Sequence, residues 1–438
     1  MLKELDFSII IKLNCIFIAM LRLSYFPQSW KLSHVLPICK PGKDPRNPSS
    51  YRPISLLSCL SKIFEKLMLS RLQNYISSIN ILPNYQFGFR SQFSTSQQLL
   101  RVSELIANSF HKKEHVIALF LDVAQAYDRI WHSGLLYKLY TIGVPIYLIK
   151  ITKDFLSFRV FMVKINNSFS TARAIYSGIP QGSILSPLLF NLYLSGIPSL
   201  SSISIALYAD DTALFSSHKN IISARNVLQT SVDKYIKWTE LWRIKINPTK
   251  TQAKIFTLCR PLNPSPLIIN NTIIPWLDNN IPVKYLGLYF DRRLTWKAHI
   301  QNISNKTYQK ITKLYPIINK YSKLKIDCGI SIYKSIIRPS LTYACPIWCN
   351  ASSTNIRKLQ VIQNKFLRKI LKAECIISNN QVHRELQIEK INNFIILQSK
   401  NFFSNLTNTP SFKHFNLGKN YNSNRIRFHF PKDIFRPP

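Results

Sequence analysis

Two adjacent aspartates stand at the tip of a predicted β-hairpin, in a chain that contains few acidic residues. Residues 207–212 read Leu-Tyr-Ala-Asp-Asp-Thr, and the apolar runs 203–207 and 212–215 have the composition of β-strands. Neighbouring carboxylates at a tight turn repel each other, so folding gains little from Asp210 and Asp211. The adjacent carboxylates do favour binding of a divalent cation, because hard cations prefer clustered carboxylate oxygens. Without further context, a solvated turn explains the pair equally well.

A third carboxylate follows another predicted strand. The unbroken apolar run at residues 116–121 ends at Asp122, as in a buried strand that carries a polar group at its end. Nucleotidyl transfer uses two divalent ions about 3.5–4 Å apart, and the ligands must lie on rigid elements to keep that spacing. If the two strands are neighbours in one sheet, Asp122 and Asp210 hold both ions, with Asp211 as the less strictly required third carboxylate. This pattern indicates polymerase chemistry.

The charge of the chain points to a polyanionic partner. The sequence has 58 Lys and Arg against 20 Asp and Glu, a formal charge of +38. Such a basic protein usually binds nucleic acid or an acidic membrane surface. The even spread of charge after residue 291 favours nucleic acid, since membrane-binding charge is concentrated beside one apolar face. Residues 7–20 are apolar but too short to span a bilayer, so we expect no membrane partner. For part of the excess of positive charge, the alternative explanation is that the composition has drifted towards lysine.

The order of the predicted elements defines the fold class. A strand, a helix and another strand followed by a hairpin predict a mixed sheet backed by helices, with a separate helical region after residue 295. Hydrophobic periodicity predicts a first helix at 7–20, helices at 128–140, 185–194 and 221–242, and strands at 255–258 and 285–290.

Seven short motifs occur along the chain in an order that identifies a family. They are Tyr51-Arg52-Pro53-Ile54-Ser55, Gln86-Phe87-Gly88-Phe89-Arg90, Phe120-Leu121-Asp122 with Ala126-Tyr127-Asp128, Gly178-Ile179-Pro180-Gln181-Gly182-Ser183, Tyr208-Ala209-Asp210-Asp211, Asn247-Pro248-Thr249-Lys250-Thr251 and Lys284-Tyr285-Leu286-Gly287. Each motif is weak alone, but together they resemble the reverse transcriptases of non-LTR (LINE-type) retrotransposons, closest to the jockey group of arthropod elements.

The resemblance implies an α+β right-hand polymerase fold with fingers, a palm with a mixed sheet, and a helical thumb. It places a leader and the fingers at 1–115, the palm at 116–280, the primer-contacting strand and thumb at 281–350, and a basic helical extension at 351–438. It also implies RNA-directed DNA polymerase activity. The enzyme would use two Mg²⁺ ions, with Mn²⁺ as a substitute, together with dNTPs, an RNA template and a DNA primer.

Individual roles follow from the matched motifs. Asp122, Asp210 and Asp211 would be the metal-binding catalytic carboxylates. Tyr127 would be a gate that excludes the 2′-hydroxyl of a ribonucleotide; from spacing alone, an ordinary core tyrosine is the alternative. Asp128 is assigned a structural role, capping the helix that follows it.

Four further residues would contact the nucleotide. Gln181 and Gly182 form a turn where the backbone can approach a nucleotide closely and an amide can reach it. Arg52 would bind the triphosphate in a two-point fashion. Lys250 would protonate the departing pyrophosphate as a general acid. A plain turn glutamine and a surface lysine are the alternatives for Gln181 and Lys250.

The chain also departs from the family pattern. Members usually carry an N-terminal apurinic-type endonuclease domain, which is absent from this sequence, so we expect a fragment or a truncated copy that cannot nick DNA itself. A non-catalytic nucleic-acid-binding relic is the main rival interpretation. Tyr127 and Tyr-Ala-Asp-Asp speak against a viral RNA-dependent RNA polymerase. We expect an intracellular ribonucleoprotein, in the nucleus, the cytoplasm or both.

Overall fold

The computed structural model describes residues 6–260, 263–319, 321–374 and 376–409. Within these residues the chain folds into two larger sheets, two short hairpins and a helical C-terminal region. The predicted α+β class is confirmed. Of the predicted basic extension at 351–438, residues 410–438 lie outside the described part of the chain.

The N-terminal region contains one apolar helix, a pair of strands and two further helices. The first helix is present as predicted and packs through Phe17, Met20 and Leu21, while much of its remaining apolar surface is exposed. The last helix starts at a capping box, in which the side chains of Ser94 and Gln97 each accept from the other's backbone N–H. The elements are α1 (Phe7–Leu23), β1 (Leu32–Cys39), β2 (Tyr51–Leu56), α2 (Cys59–Ile79) and α3 (Thr95–His111).

The central region alternates strands and helices. The helix predicted at 128–140 begins later, at His132, because Trp131 directly before it has an extended backbone, with a φ of −75° and a ψ of 111°. Asp128 therefore does not cap this helix. The elements are β3 (His115–Leu121), α4 (His132–Thr141), α5 (Ile146–Leu156), β4 (Arg159–Ile165), β5 (Ser168–Phe169), β6 (Arg173–Ile175), α6 (Ser186–Tyr193), β7 (Ser204–Tyr208), β8 (Asp211–His218), α7 (Ile221–Leu241) and β9 (Gln252–Phe256).

Strand β3 lies inside a four-stranded sheet with the order β7-β8-β3-β9. Every residue of β3 is buried, because both faces of the sheet are covered. Ile117 and Leu119 contribute to one hydrophobic core, and Ala118 and Phe120 to the other. This explains the unbroken apolar run, which would otherwise alternate with polar residues.

The direction of the strands corrects one detail of the prediction. The ladders of the central sheet are all antiparallel, so the sheet predicted to be mixed is not mixed across its four strands. The hairpin between β7 and β8 requires an antiparallel pair, and β3 runs opposite to both of its neighbours. Parallel pairing occurs instead in the other larger sheet, where β1 pairs with β4 in a β2-β1-β4-β5 arrangement and β6 adds to β4.

The remaining strands form two hairpins, and helices follow them. The single strand predicted at 285–290 is wrong: Leu286 and Gly287 have φ values of 44° and 82° and fold the segment into a hairpin. None of the helices in the described ranges is both long and apolar enough to span a membrane. The elements are β10 (Leu267–Ile269), β11 (Thr272–Ile274), β12 (Val283–Tyr285), β13 (Leu288–Phe290), α8 (Lys297–Ile318), α9 (Ile326–Ile332), a π-helical turn (Tyr333–Ile337), α10 (Arg338–Thr342), α11 (Cys345–Trp348), α12 (Ser353–Leu371), α13 (Asn379–Glu385) and α14 (Ile391–Leu406).

Candidate active site

The three predicted carboxylates meet at one end of the central sheet. Strand β3 ends at Leu121, which pairs with Thr212 of β8, so Asp122 emerges beside the start of that strand. Tyr208 pairs with Asp211 across the β7–β8 turn, which leaves Ala209 and Asp210 at its tip. Neighbouring strands of one sheet therefore bring the three side chains together, as the sequence predicts.

The carboxylates interact electrostatically. The pKa of Asp211 is raised to about 6, mainly because the surrounding protein removes hydration from its carboxyl group and also because of the charges of Asp210 and Asp122, against an opposing effect of Lys284. Desolvation likewise raises the pKa of Asp210; its backbone N–H and the charge of Arg52 oppose the increase, whereas Asp122 adds to it. The cluster holds negative charge at a cost, which a bound cation would relieve.

Lys250 reaches this cluster from a loop after α7. Its Nζ lies 3.8 Å from Oδ2 of Asp122, and both side chains are substantially exposed. The loop is fixed by its own backbone, because the N–H of Asn247 donates to the carbonyl oxygen of Asp122 at 2.8 Å. Lys250 is thus placed beside the carboxylates by main-chain pairing rather than by the flexible ion pair.

Tyr127 stands over the same site between two aromatic rings. Its ring stacks on Phe190 at 4.9 Å between centroids with an interplanar angle of 7°, and Phe89 meets its edge at 6.3 Å. Desolvation, with a smaller effect of the Asp210 charge, raises the pKa of the Tyr127 hydroxyl, which stays protonated. The stacking fixes the orientation of the ring, as a steric gate requires.

The turn that contains Gln181 and Gly182 contacts β2 backbone to backbone. The N–H of Ser55 donates to the carbonyl oxygen of Gln181 at 2.8 Å. Gly182 has a φ of 136°, and a Cβ built on it would lie 2.4 Å from the carbonyl oxygen of Ser55. The Gln181 side chain donates to Oδ1 of Asp128 at 3.3 Å. Asp128 therefore interacts with Gln181 instead of capping the next helix.

Arg52 lies near enough to the carboxylates for its charge to act on Asp210. It lies on β2, opposite Ile38 of β1, and its side chain is exposed. Its positive charge acts on Asp210, where it lowers the pKa of the carboxyl group. Six of the eight residues predicted from the sequence, the three carboxylates with Arg52, Tyr127 and Lys250, act on one another electrostatically. Gln181 and Gly182 lie on a turn that pairs with Ser55 of β2, the strand that carries Arg52.

Two buried polar residues of this region had no role in the sequence analysis. Glu65 of α2 accepts from Ser183 Oγ at 2.5 Å and from the N–H of Ile184 at 2.8 Å, and so supports the turn after Gly182. Gln86 binds the backbone of Ala209 next to the aspartate pair. Gln86 belongs to a quoted motif, but Glu65 lies in an apolar helical pattern and only its charge singles it out.

The donor set fits a hard divalent cation. Three carboxylates converge, their charges are coupled, and the β7–β8 turn is rigidly held, which is the ligand chemistry that Mg²⁺ and Mn²⁺ prefer. In the part of the chain that the structure describes, no group of three or more Asp, Glu, His or Cys side chains is arranged so that it could hold a metal ion.

Comparison with known proteins identifies the family. The profile of the family described as reverse transcriptase (RNA-dependent DNA polymerase) matches residues 38–290, which is more than half of the chain. The chain belongs to the reverse transcriptase family. The match includes the three carboxylates, Arg52, Tyr127, the Gln181 turn and Lys250.

Relatives from insect mobile elements extend the similarity. The probable RNA-directed DNA polymerase from transposon X-element of Drosophila melanogaster is 35% identical over 439 residues, covering 99% of this chain and 48% of that protein. The RNA-directed DNA polymerase from mobile element jockey of the same species is 36% identical, over 86% of this chain and 42% of that protein. The predicted resemblance to jockey-type reverse transcriptases is confirmed. The chain spans about half the length of these relatives.

Solved structures of telomerases are similar at a lower level. Telomerase from Candida albicans, in complex with a fragment of telomeric RNA, is 12% identical with a TM-score of 0.46, covering 84% of this chain and 68% of that one. Apo telomerase from Candida tropicalis gives 14% identity and a TM-score of 0.45, over 90% and 67% of the two chains.

Proposed function

We propose that this protein is an RNA-directed DNA polymerase, which adds deoxynucleotides to the 3′-hydroxyl of a DNA primer on an RNA template. The observation that carries the proposal is the convergence of Asp122, Asp210 and Asp211 at the end of one sheet, within a chain of the reverse transcriptase family. Acidic residues are scarce in this chain, so three of them at one point need a chemical reason.

Asp122, Asp210 and Asp211 would hold two Mg²⁺ ions, for which Mn²⁺ could substitute. When bound, such ions activate the attacking hydroxyl and neutralise charge on the triphosphate. The contribution of the protein is to present the carboxylates from β3 and from the β7–β8 turn with little freedom to move. Preorganisation of this kind lowers the barrier because the site need not rearrange as charge develops.

Two basic residues would act on the triphosphate. Arg52 lies near enough to Asp210 to lower the pKa of its carboxyl group, and its planar guanidinium can bind phosphate oxygens in pairs. Lys250, 3.8 Å from Asp122, carries a proton that it can deliver to the departing pyrophosphate. Both side chains are exposed and can exchange a carboxylate contact for a phosphate contact.

Tyr127, Gln181 and Gly182 would select and seat the nucleotide. The stacked ring of Tyr127 cannot swing away, so a 2′-hydroxyl at its position meets a steric barrier. Because Gly182 has no side chain, the turn at Gln181 can lie against β2. The hydrogen bond from Ser55 then fixes the backbone that carries the Gln181 amide. Its bond to Asp128 is long at 3.3 Å and easily exchanged for a ligand.

The division of the chain follows from the same proposal. Residues 1–115 would form the leader and fingers, 116–280 the palm, 281–350 the primer-contacting hairpin and thumb, and 351–438 a basic extension. The excess of positive charge would bind the phosphates of the template and primer, so that affinity falls steeply with salt. Because the proposed template is RNA, we place the protein in an intracellular ribonucleoprotein, in the nucleus, the cytoplasm or both.

Primer extension tests the proposal. The reaction contains a poly(A) template, an oligo(dT) primer, Mg²⁺ and dTTP, and compares the parent with Asp210→Asn. Asp233→Asn is the matched control, because Asp233 is an exposed aspartate on α7 that binds Gln229. Extension by the parent and the control, but not by Asp210→Asn, supports the proposal. No extension, despite salt-sensitive binding of the template-primer, would instead favour the non-catalytic relic.

A further inference from the structure

The buried side chain of Gln86 pairs with the backbone of the turn that carries the aspartates. Gln86 is only 1% exposed. Its Oε1 accepts from the N–H of Ala209 at 3.1 Å, and its Nε2 lies 3.4 Å from the carbonyl oxygen of the same residue. The same Oε1 also accepts from the N–H of Gly88 at 2.9 Å. One amide therefore contacts both polar backbone groups of Ala209.

Ala209 is a position where the backbone needs support. It has a φ of 55°, a left-handed conformation that is unfavourable for residues other than glycine. The residue immediately precedes Asp210, so a rotation of its peptide groups would redirect the carboxylates. An amide can offer an acceptor and a donor in one plane, and this matches the two groups that such a rotation would displace.

The segment around Gln86 is itself fixed to the sheet and to α6. The N–H of Phe87 donates to the carbonyl oxygen of Leu207 on β7 at 3.0 Å. The side chain of Asn191 on α6 donates to the carbonyl oxygen of Gly88 at 2.9 Å. A Cβ built on Gly88 would lie 2.1 Å from the backbone nitrogen of Ala209, so the two backbones are in direct contact. These contacts thus hold the backbone around Gln86 in place.

We propose that Gln86 is a positioning residue that fixes the backbone of Ala209 and thereby aims Asp210 and Asp211 at the divalent cations. The expected effect of Gln86 on primer extension rests on the proposed polymerase function. The expected effect on cation binding does not, because binding requires no reaction. Residues that orient metal ligands typically change metal affinity or activity by about 10- to 100-fold when they are removed.

The test combines cation binding with kinetics. Gln86→Met keeps the volume and removes both polar atoms, and Gln86→Asn keeps the amide but shortens its reach. Mn²⁺ binding to the protein without nucleic acid is measured from the free Mn²⁺ signal in electron paramagnetic resonance, with Asp210→Asn as the reference for a damaged site. Primer extension gives kcat and the Mg²⁺ concentration for half-maximal rate.

Gln98→Met is the matched control for a purely structural effect. Gln98 is also a buried glutamine, but its Nε2 donates at 3.1 Å to the carbonyl oxygen of Leu207, within the strand rather than at the turn. We expect both Gln86 variants to weaken Mn²⁺ binding and to raise the half-maximal Mg²⁺ concentration by about tenfold or more. Gln98→Met should retain the parental Mn²⁺ affinity and the parental half-maximal Mg²⁺ concentration, although its melting temperature should be lower than that of the parent.

The outcomes separate the two proposals. If the parent extends no primer but Gln86→Asn and Gln86→Met still weaken Mn²⁺ binding, the positioning role stands and the polymerase function fails. If the parent extends primer and both Gln86 variants keep the parental metal dependence, the positioning role is overturned. It is also overturned if Gln98→Met shifts the metal dependence as much as the Gln86 variants do. If Gln86→Met fails to fold, the Mn²⁺ binding and the Mg²⁺ dependence of Gln86→Asn alone test the positioning role.

Discussion

Gly182 and Ser55 are in direct backbone contact, although they are more than a hundred residues apart in the sequence. The space between them is too small for a side chain, since a Cβ on Gly182 would lie 2.4 Å from the carbonyl oxygen of Ser55. The N–H of Ser55 completes the contact by donating to Gln181 at 2.8 Å. Strand β2 and the turn at Gln181 and Gly182 are therefore held together as one unit.

Substitution of Gly182 by alanine should disrupt that unit. We expect Gly182→Ala to lower the free energy of unfolding by more than the roughly 1–2 kcal/mol that a left-handed conformation alone costs, and to raise the KM for dTTP. Gly196→Ala is the control, because Gly196 has a φ of 80° but open space around its Cα. Urea denaturation and primer extension give both quantities. Equal effects of the two substitutions would contradict a special role of the contact.

We expect Glu65 to stabilise the same turn through its buried carboxylate. Its carboxylate is fully buried and accepts from Ser183, Ile184 and Ser61. Glu65→Gln replaces an acceptor oxygen by a donor, so we expect a loss of about 1–3 kcal/mol in unfolding free energy together with a higher KM for dTTP. Ser61→Ala, which removes a bond on the side away from the turn, should reduce stability but leave KM unchanged. A KM shift in Ser61→Ala would argue against this specificity.

Lys250 should matter for chemistry and hardly at all for stability. An exposed ion pair contributes at most about 1 kcal/mol, whereas loss of a general acid typically lowers the rate by about 10²- to 10⁴-fold. We expect Lys250→Met to reduce single-turnover dTTP incorporation in that range while its urea midpoint is unchanged. Lys245→Met is the control, since Lys245 is an exposed lysine of the same loop. Rates that are equal in the two variants would exclude Lys250 as the acid.

The sequence predicts the carboxylates well because each lies at the end of a strongly apolar strand. The run before Asp122 is apolar because both faces of β3 are buried, and the register of β3 with β8 then brings the acids together. Strand direction was less predictable. An apolar run does not encode whether its neighbour is parallel, so the mixed sheet was assigned to the wrong strands.

Contacts made by backbone atoms escape prediction from single residues. The role of Gln86 depends on the left-handed conformation of Ala209, which an alanine in the sequence does not indicate. The hairpin at Leu286 and Gly287 was missed for a related reason, because the flanking residues all have the composition of one strand. The boundaries at 115, 280 and 350 stay predictions.

Lys138 makes stability dependent on pH. Its ammonium group is buried, donates to the carbonyl oxygens of Tyr193 and Ser195, and lies 3.9 Å from the ring centroid of Trp242. Burial lowers the pKa of Lys138 to about 7 from a usual value of 10.5. Between these two pH values the unfolded chain binds more protons than the folded protein, so the unfolding free energy rises with pH, by up to about 1.4 kcal/mol per unit.

Comparison with Lys138→Met isolates this contribution. The difference in unfolding free energy between parent and variant, from urea denaturation at pH 6, 7.5 and 9, should be constant below pH 7 and move in favour of the parent above it. Lys153→Met, at an exposed position on α5, should give a flat difference throughout. A flat difference for Lys138→Met as well would mean that the aromatic ring and the carbonyl oxygens keep the pKa of the ammonium group near its usual value.

Tyr127 should determine the choice of sugar. Because its ring is stacked on Phe190, a smaller side chain leaves a space that the neighbours cannot easily fill. We expect Tyr127→Val to reduce discrimination between dTTP and UTP by at least about tenfold, since a pocket that loses bulk gains room for a hydroxyl. Tyr127→Phe keeps the ring and should keep the discrimination. The ratio of kcat/KM for the two nucleotides on the same template-primer measures the effect. If Tyr127→Phe relaxed the choice as much as Tyr127→Val, selection would depend on the tyrosine hydroxyl rather than on the bulk of the ring.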